Sequence, residues 1–222
     1  MYLPIVFIIL FFMSFSAAAQ DDAATSGFVV ARVKYNGGGD WYNDPSIIPN
    51  LLSFMRLNTN VEVGSTQRIV EISDQDLFNY PVIFMTGHGN IFFSDDEAER
   101  LRIYLTGGGF LFADDDYGMD KAFRREIKKV FPHKDLIELP FSHPVFNNHF
   151  AFPEGAPKIH EHDGGSPKSF GLFHQDRLIV YYTFNTNISD GWADETVHND
   201  PPEVRRKALK MGTNIMVYAL TH

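Results

Sequence analysis

Pro81-Val82-Ile83-Phe84-Met85-Thr86-Gly87-His88-Gly89-Asn90 is the stretch that decides the fold. Its first half is a short apolar run opened by proline and closed by glycine, the pattern of a strand buried on both faces of a parallel sheet. Its second half places a histidine between two glycines directly after the strand. That is the shape of a nucleophile elbow, in which glycines permit a tight turn and expose the middle side chain. Two further runs have the same form. Phe28 to Val33 leads into Gly37-Gly38-Gly39-Asp40-Trp41, and Phe110-Leu111-Phe112-Ala113 leads into Asp114-Asp115-Asp116-Tyr117-Gly118.

Helical patterns separate these runs. Asp44 followed by Pro45 predicts a capped helix whose inward face is Ile47, Ile48, Leu51, Leu52 and Met55. Ser94 and Glu97 have capping-box spacing and open a helix that turns Ala98, Leu101 and Leu105 inward. A third helix, from about 120 to 131, buries Phe123, Ile127 and Val130 and stops at Pro132. Leu136 to Leu139 reads as a strand, and Phe170 to Phe173 with Leu178 to Tyr182 reads as a hairpin. Pro201-Pro202 opens the last helix. Strands alternating with helices imply right-handed crossovers, so the fold class is α/β: a three-layer sandwich around a doubly wound, mostly parallel sheet. In such sheets ligands bind beyond the carboxyl ends of the strands.

Composition narrows the function. With 44% hydrophobic and 21% charged residues the chain has a globular balance. No linker divides it, so 28–222 is expected to be a single α/β domain preceded by a disordered tail over 21–27. A formal charge of -9 excludes nucleic acid as a partner, because phosphates are gathered by basic surfaces. The absence of cysteine excludes disulfides, thiolate nucleophiles and sulfur-ligated metals. Tyr2 to Ala19 is almost purely apolar and relaxes into small residues before Asp21 and Asp22. This predicts a signal peptide over 1–20 and an exported protein, periplasmic or secreted. The alternative is an uncleaved N-terminal membrane anchor. No later segment is apolar enough to span a membrane, so none is expected in the mature chain.

The strand-end loops supply the candidate site. His88 is the candidate base or metal ligand, with Asp115 as a catalytic partner. Gly38, Gly39, Asp40, Trp41, Gly87, Gly89 and Tyr117 are candidates for ligand contact, since aromatic rings beside a carboxylate are a way of holding sugars. The triple glycine lacks the spacing of a phosphate-binding fingerprint. Asp114 and Asp116 are the candidate ligands for a divalent metal, the one cofactor this run of carboxylates invites. One Asp capping the next helix is the competing reading. His160-Glu161-His162-Asp163 alternates ligand types but has no third partner at a known spacing, and reads as a surface loop. Asn187-Ile188-Ser189 fits a glycosylation sequon.

Taken in order, Gly37 to Trp41, Thr86 to Gly89, Gly108 to Asp116, His143-Pro144-Val145-Phe146, the strand after Arg177, and Gly212 with Asn214 in the closing helix form a family pattern. The chain resembles the bacterial family called domain of unknown function 4159, over nearly all of its length from Phe28. The resemblance implies a flavodoxin-like fold similar to that of class I glutamine amidotransferases. Their nucleophile is an elbow cysteine, and the matching position here is His88, so glutamine hydrolysis by that route is excluded. Two readings of function remain. The first is a non-catalytic module that binds a small molecule, a glycan or an envelope protein, with Trp41, Tyr42, Tyr117 and Trp192 as contact area. The alternative is a metal- or His/Asp-dependent envelope hydrolase working at the strand ends.

Overall fold

A computed structural model describes residues 27–162 and 164–222. The signal-peptide and tail expectations lie outside the described residues, apart from Gly27. The chain runs β1 (Val30–Val33), α1 (Ile47–Asn58), β2 (Arg68–Val70), β3 (Val82–His88), α2 (Asp95–Thr106), β4 (Phe110–Tyr117), α3 (Asp120–Val130), β5 (Ile137–Glu138), β6 (Lys168–His174), β7 (Arg177–Phe184), α4 (Glu195–His198) and α5 (Pro202–Thr221). Short 3-10 turns lie at Gln75–Asn79, Pro144–Phe146 and Asp190–Trp192. One seven-stranded sheet has the order β2-β1-β3-β4-β7-β6-β5. β2, β1, β3, β4 and β7 pair in parallel, while β6 runs antiparallel between β7 and β5.

Alternation along the strands sorts the core into two layers. Ile83, Met85, Leu111 and Ala113 face α2 and α3, against Leu101, Leu105, Phe123 and Ile127. Val82, Phe84, Phe110 and Phe112 face α1 and α5, against Ile48, Leu51, Leu52, Met211 and Ile215. Helices therefore cover both faces, as a buried parallel sheet requires. Ser94 closes α2 with a full capping box: its hydroxyl accepts from the Glu97 N–H while Glu97 accepts from the Ser94 N–H.

Several sequence expectations change. The Asp run belongs to the strand: β4 extends through Tyr117, because β3 continues to His88 and pairs with it, Thr86 opposite Asp114 and Gly87 opposite Asp115. Asp44 does not cap α1. It takes φ 44° and turns its carboxylate to His198, and Ser46 precedes the helix without a side-chain cap. Trp192 offers no contact area. It is fully buried, packs on Phe84 and Phe112 at ring distances of 5.8 and 5.9 Å, and donates its indole N–H to the Ala208 carbonyl. Gly212 leaves room for it, since a Cβ there would lie 2.5 Å from the Trp192 ring. Asn214 and the 148–150 segment are tied by reciprocal 2.7 Å bonds to the Phe150 N–H and carbonyl. The closing Gly-x-Asn pattern is thus a packing device.

Trp192→Ala should destabilise the fold by about 3–5 kcal/mol, as deletion of a large buried aromatic does. Chemical unfolding of the two proteins measures this, and a loss within the range of ordinary surface substitutions would remove Trp192 from the core.

Candidate functional site

The ends of β1, β3, β4 and β7 open on one edge, since these strands pair in parallel. After β1 the chain passes through the triple glycine. Gly39 N–H donates to the Asn90 carbonyl at 3.0 Å, and a Cβ at Gly39 would lie 2.7 Å from the His88 carbonyl. Glycine is needed there because two backbones approach directly. Gly38, at φ 91°, faces open space. The close approach brings Asp40 under the elbow. One Asp40 oxygen accepts from the His88 backbone N–H, and the other lies 3.0 Å from His88 Nδ1. Gly87 and Gly89, at φ 141° and 85°, make the turn that His88 occupies.

The other imidazole nitrogen, His88 Nε2, lies 3.3 Å from Asp116 Oδ2. Asp116 is nearly enclosed; it also accepts from Asn43 Nδ2 at 2.6 Å and Asn187 Nδ2 at 2.8 Å. Burial, and then the nearby charges of Asp190 and Asp114, push its carboxyl far above the ordinary carboxylate range. Asp40 goes the other way. Burial works to raise it, but the His88 backbone and ring bonds outweigh this and hold it below its usual value. One imidazole therefore joins two carboxyls that their surroundings push in opposite directions.

Asp114 and Asp115 serve other purposes. Asp114 is completely buried, and its oxygens accept from Thr183 and Thr186 hydroxyls and from the Ser189 N–H, which ties the loop after β7 to β4. Asp115 accepts from the Met119 N–H at 2.8 Å at the mouth of α3, so the capping reading describes it. Burial and its acidic neighbours push it up to about 6. Trp41 packs partly into the core and edge-on against Tyr42, which is exposed. Tyr117 is half-exposed and its ring packs tilted against His162 at 4.7 Å. Of the residues expected from the sequence, the structure brings Asp40, His88 and Asp116 into one chain of contacts. Asp115, Asp116, Tyr117, Lys121, His162 and Asn187 help line an adjoining cleft of about 480 Å³.

The second half of the site gathers around Asp190, which has no part in the sequence expectations. Asp190 Oδ2 lies 2.8 Å from His160 Nδ1 and 3.1 Å from Asn187 Nδ2, and Oδ1 lies 4.0 Å from His198 Nε2. Asp200 holds His160 Nε2 at 3.0 Å, and Asp44 holds His198 Nε2 at 2.8 Å. Asn187, far from being a surface sequon, is 1% exposed. Arg32, inside β1, carries the loop that bears Asn43 and Asp44: its guanidinium donates to the carbonyls of Trp41, Asn43 and Asp44. Burial lowers it to about 10, which leaves it charged at neutral pH. A signal for the β7 side was present, since Asn185 to Asp190 is a polar run immediately after a parallel strand.

The family described as domain of unknown function (DUF4159) matches residues 29–220. The chain belongs to that family. No curated protein matches it. Among the described residues no helix is long and apolar enough to cross a membrane.

Raised carboxyls carry a stability signature. Asp115 and Asp116 bind protons more tightly folded than unfolded, so from the ordinary carboxylate range up to their folded values the native state holds the extra protons. Stability from these groups therefore falls as pH rises through that window. With a chelator present to keep stray cations off the carboxylates, Asp116→Asn should melt higher than the wild type at pH 8 and lose less stability between pH 5 and pH 8. Calorimetric melting across that range measures it, and parallel curves for the two proteins would contradict the raised Asp116.

Proposed function

We propose that this protein is an exported hydrolase in which His88 is the general base and Asp116 the general acid. The observation that carries the reading is the Asp40–His88–Asp116 chain, in which two carboxyls on one imidazole are pushed in opposite directions. Environments that separate such values are how acid and base roles are divided at neutral pH. Asp40, ionised, favours the tautomer with the proton on Nδ1 and leaves the Nε2 lone pair toward Asp116, whose carboxyl lines the cleft. A water placed there gives its proton to Nε2 as it attacks an electrophilic carbon or phosphorus centre. The neutral Asp116 gives its proton to the leaving group. Transfer from Nε2 to Asp116, 3.3 Å apart, restores the resting state. The cleft is of a size that suits a small ligand.

The fold and location belong to the same proposal. The parallel strands run β2-β1-β3-β4-β7, which supports a flavodoxin-like fold similar to that of class I glutamine amidotransferases. The Asp40 and His88 loops then stand on either side of the β1/β3 switch point, where ligands of such sheets bind. One sheet with a core layer on each face supports a single domain over 28–222. Export rests on the apolar stretch Tyr2 to Ala19.

A second reading, a non-catalytic module for a glycan or a protein partner, is favoured by Tyr117, half-exposed on His162 at the cleft wall. A panel of chromogenic esters, phosphoesters and glycosides separates the two. Under the hydrolase reading at least one is turned over, and His88→Ala lowers kcat roughly 10²–10⁴-fold while the melting temperature stays near that of the wild type. Asp40→Asn should produce a smaller loss with a shifted pH profile. Turnover that survives His88→Ala would remove His88 as the base, and ligand binding without turnover that is abolished by Tyr117→Ala would replace the hydrolase with the binding module.

A further inference from the structure

Beyond the acid/base chain, a second constellation of ligand atoms stands at the same edge. We propose that His160 Nδ1, His162 Nε2 and an oxygen of Asp190 bind a divalent transition-metal ion. These three ligand atoms all lie within 4.8 Å of one another. The shortest separation, 2.8 Å from His160 Nδ1 to Asp190 Oδ2, needs to open by about 0.5 Å, since tetrahedral bonds of roughly 2.0–2.1 Å set neighbouring ligands about 3.3 Å apart. Two imidazoles and one carboxylate select zinc and its neighbours over magnesium or calcium, which take oxygen ligands. Three protein ligands also leave a position open for water, the arrangement of reactive rather than purely structural sites.

Asn187 ties this constellation to the acid/base chain. Asn187 is 1% exposed, and its Nδ2 crowds three groups, lying 2.7 Å from His162 Nε2, 3.1 Å from Asp190 Oδ2 and 2.8 Å from Asp116 Oδ1. Its Oδ1 has no partner at all. A buried amide oxygen without a donor is costly. The surroundings orient the ligands as a metal requires. Asp200 holds the far nitrogen of His160 at 3.0 Å, the carboxylate–histidine arrangement that presents the other nitrogen to an ion. On its other side Asp190 faces His198, itself held by Asp44.

This site differs from the pair Asp114 and Asp116 expected from the sequence. Asp114 is consumed by loop contacts, and Asp116 borders the new position through Asn187. It stands without the acid/base reading, because the readouts are metal binding and not turnover.

The test is titration of the chelator-stripped, full-length protein with Zn²⁺ and with Co²⁺. One equivalent should bind at the three-ligand position, raise the melting temperature, and with cobalt give the visible absorption of a low-coordinate imidazole site. His162→Ala, at an exposed side chain whose loss leaves the fold intact, should abolish the cobalt spectrum and the thermal shift. His160→Gln should do the same. Asp200→Asn, a positioning variant, should keep the spectrum and weaken affinity about 10–100-fold. His88→Ala should bind zinc as the wild type does, which keeps this result separate from any failure of the hydrolase reading. No stoichiometric binding, or binding that His162→Ala and His160→Gln leave unchanged, overturns the proposal.

Discussion

Burying Asp114, Asp116 and Asp190 together at the ends of β4 and β7 is the constraint around which this edge of the sheet is arranged. Carboxylates removed from water must be given donors, counter-charges or protons. The three are answered differently. Asp114 is surrounded by donors from Thr183, Thr186 and Ser189, yet its complete burial outweighs them and still pushes its carboxyl up. Asp190 is held below its usual value because its bonds to His160 and Asn187 and the nearby His198 outweigh burial. Asp116 receives only two amides and the far side of His88, and burial among acidic neighbours leaves it favouring its proton.

Those solutions build the architecture of the site. Because Asp114 accepts from the loop after β7, that loop is fixed against β4, and Asn187 and Asp190 are delivered to their positions by it. On the opposite side a buried cation performs the equivalent task. Arg32 reaches out of β1 to three carbonyls of the 41–44 turn and sets Asn43 and Asp44 in place. A lysine could not span three acceptors with one fixed fork. The site is thus carried by two polar anchors seated inside parallel strands, where apolar side chains would be the default.

The parts legible from sequence were those set by local rules. The Ser94–Glu97 box, the Pro81 strand and the hairpin at 170–182 are written in spacing and period, and they formed as read. So was the edge on which to look, because parallel strands put their ends on one side. What escaped was long-range. His160 and His162 lacked a third ligand in sequence because Asp190 arrives from across the β6–β7 hairpin, and nothing local connects them. Asp44 beside Pro45 looked like a cap, yet its carboxylate was claimed by His198, 154 positions away. Arg32 was passed over because the strand was read for its apolar residues. Trp192 was assigned to a surface, since an aromatic in a loop gives no local sign of which way it turns.

The hydrolase proposal rests on groups at this edge that passive recognition would not need. A binding surface for a glycan or a partner needs exposed rings and satisfied polar groups; nothing in that task calls for a carboxyl kept neutral in the interior or an amide oxygen without a donor. Proteins retain such locally unfavourable groups where function depends on them. At this edge Asp116, pushed toward its neutral form, faces the one imidazole that stands between two glycines, and Asn187 touches both that carboxyl and the His162–Asp190 pair. The layers beneath are apolar and closely packed. A rigid sheet that carries its few buried polar groups at the carboxyl edge keeps that edge in register without weakening the core.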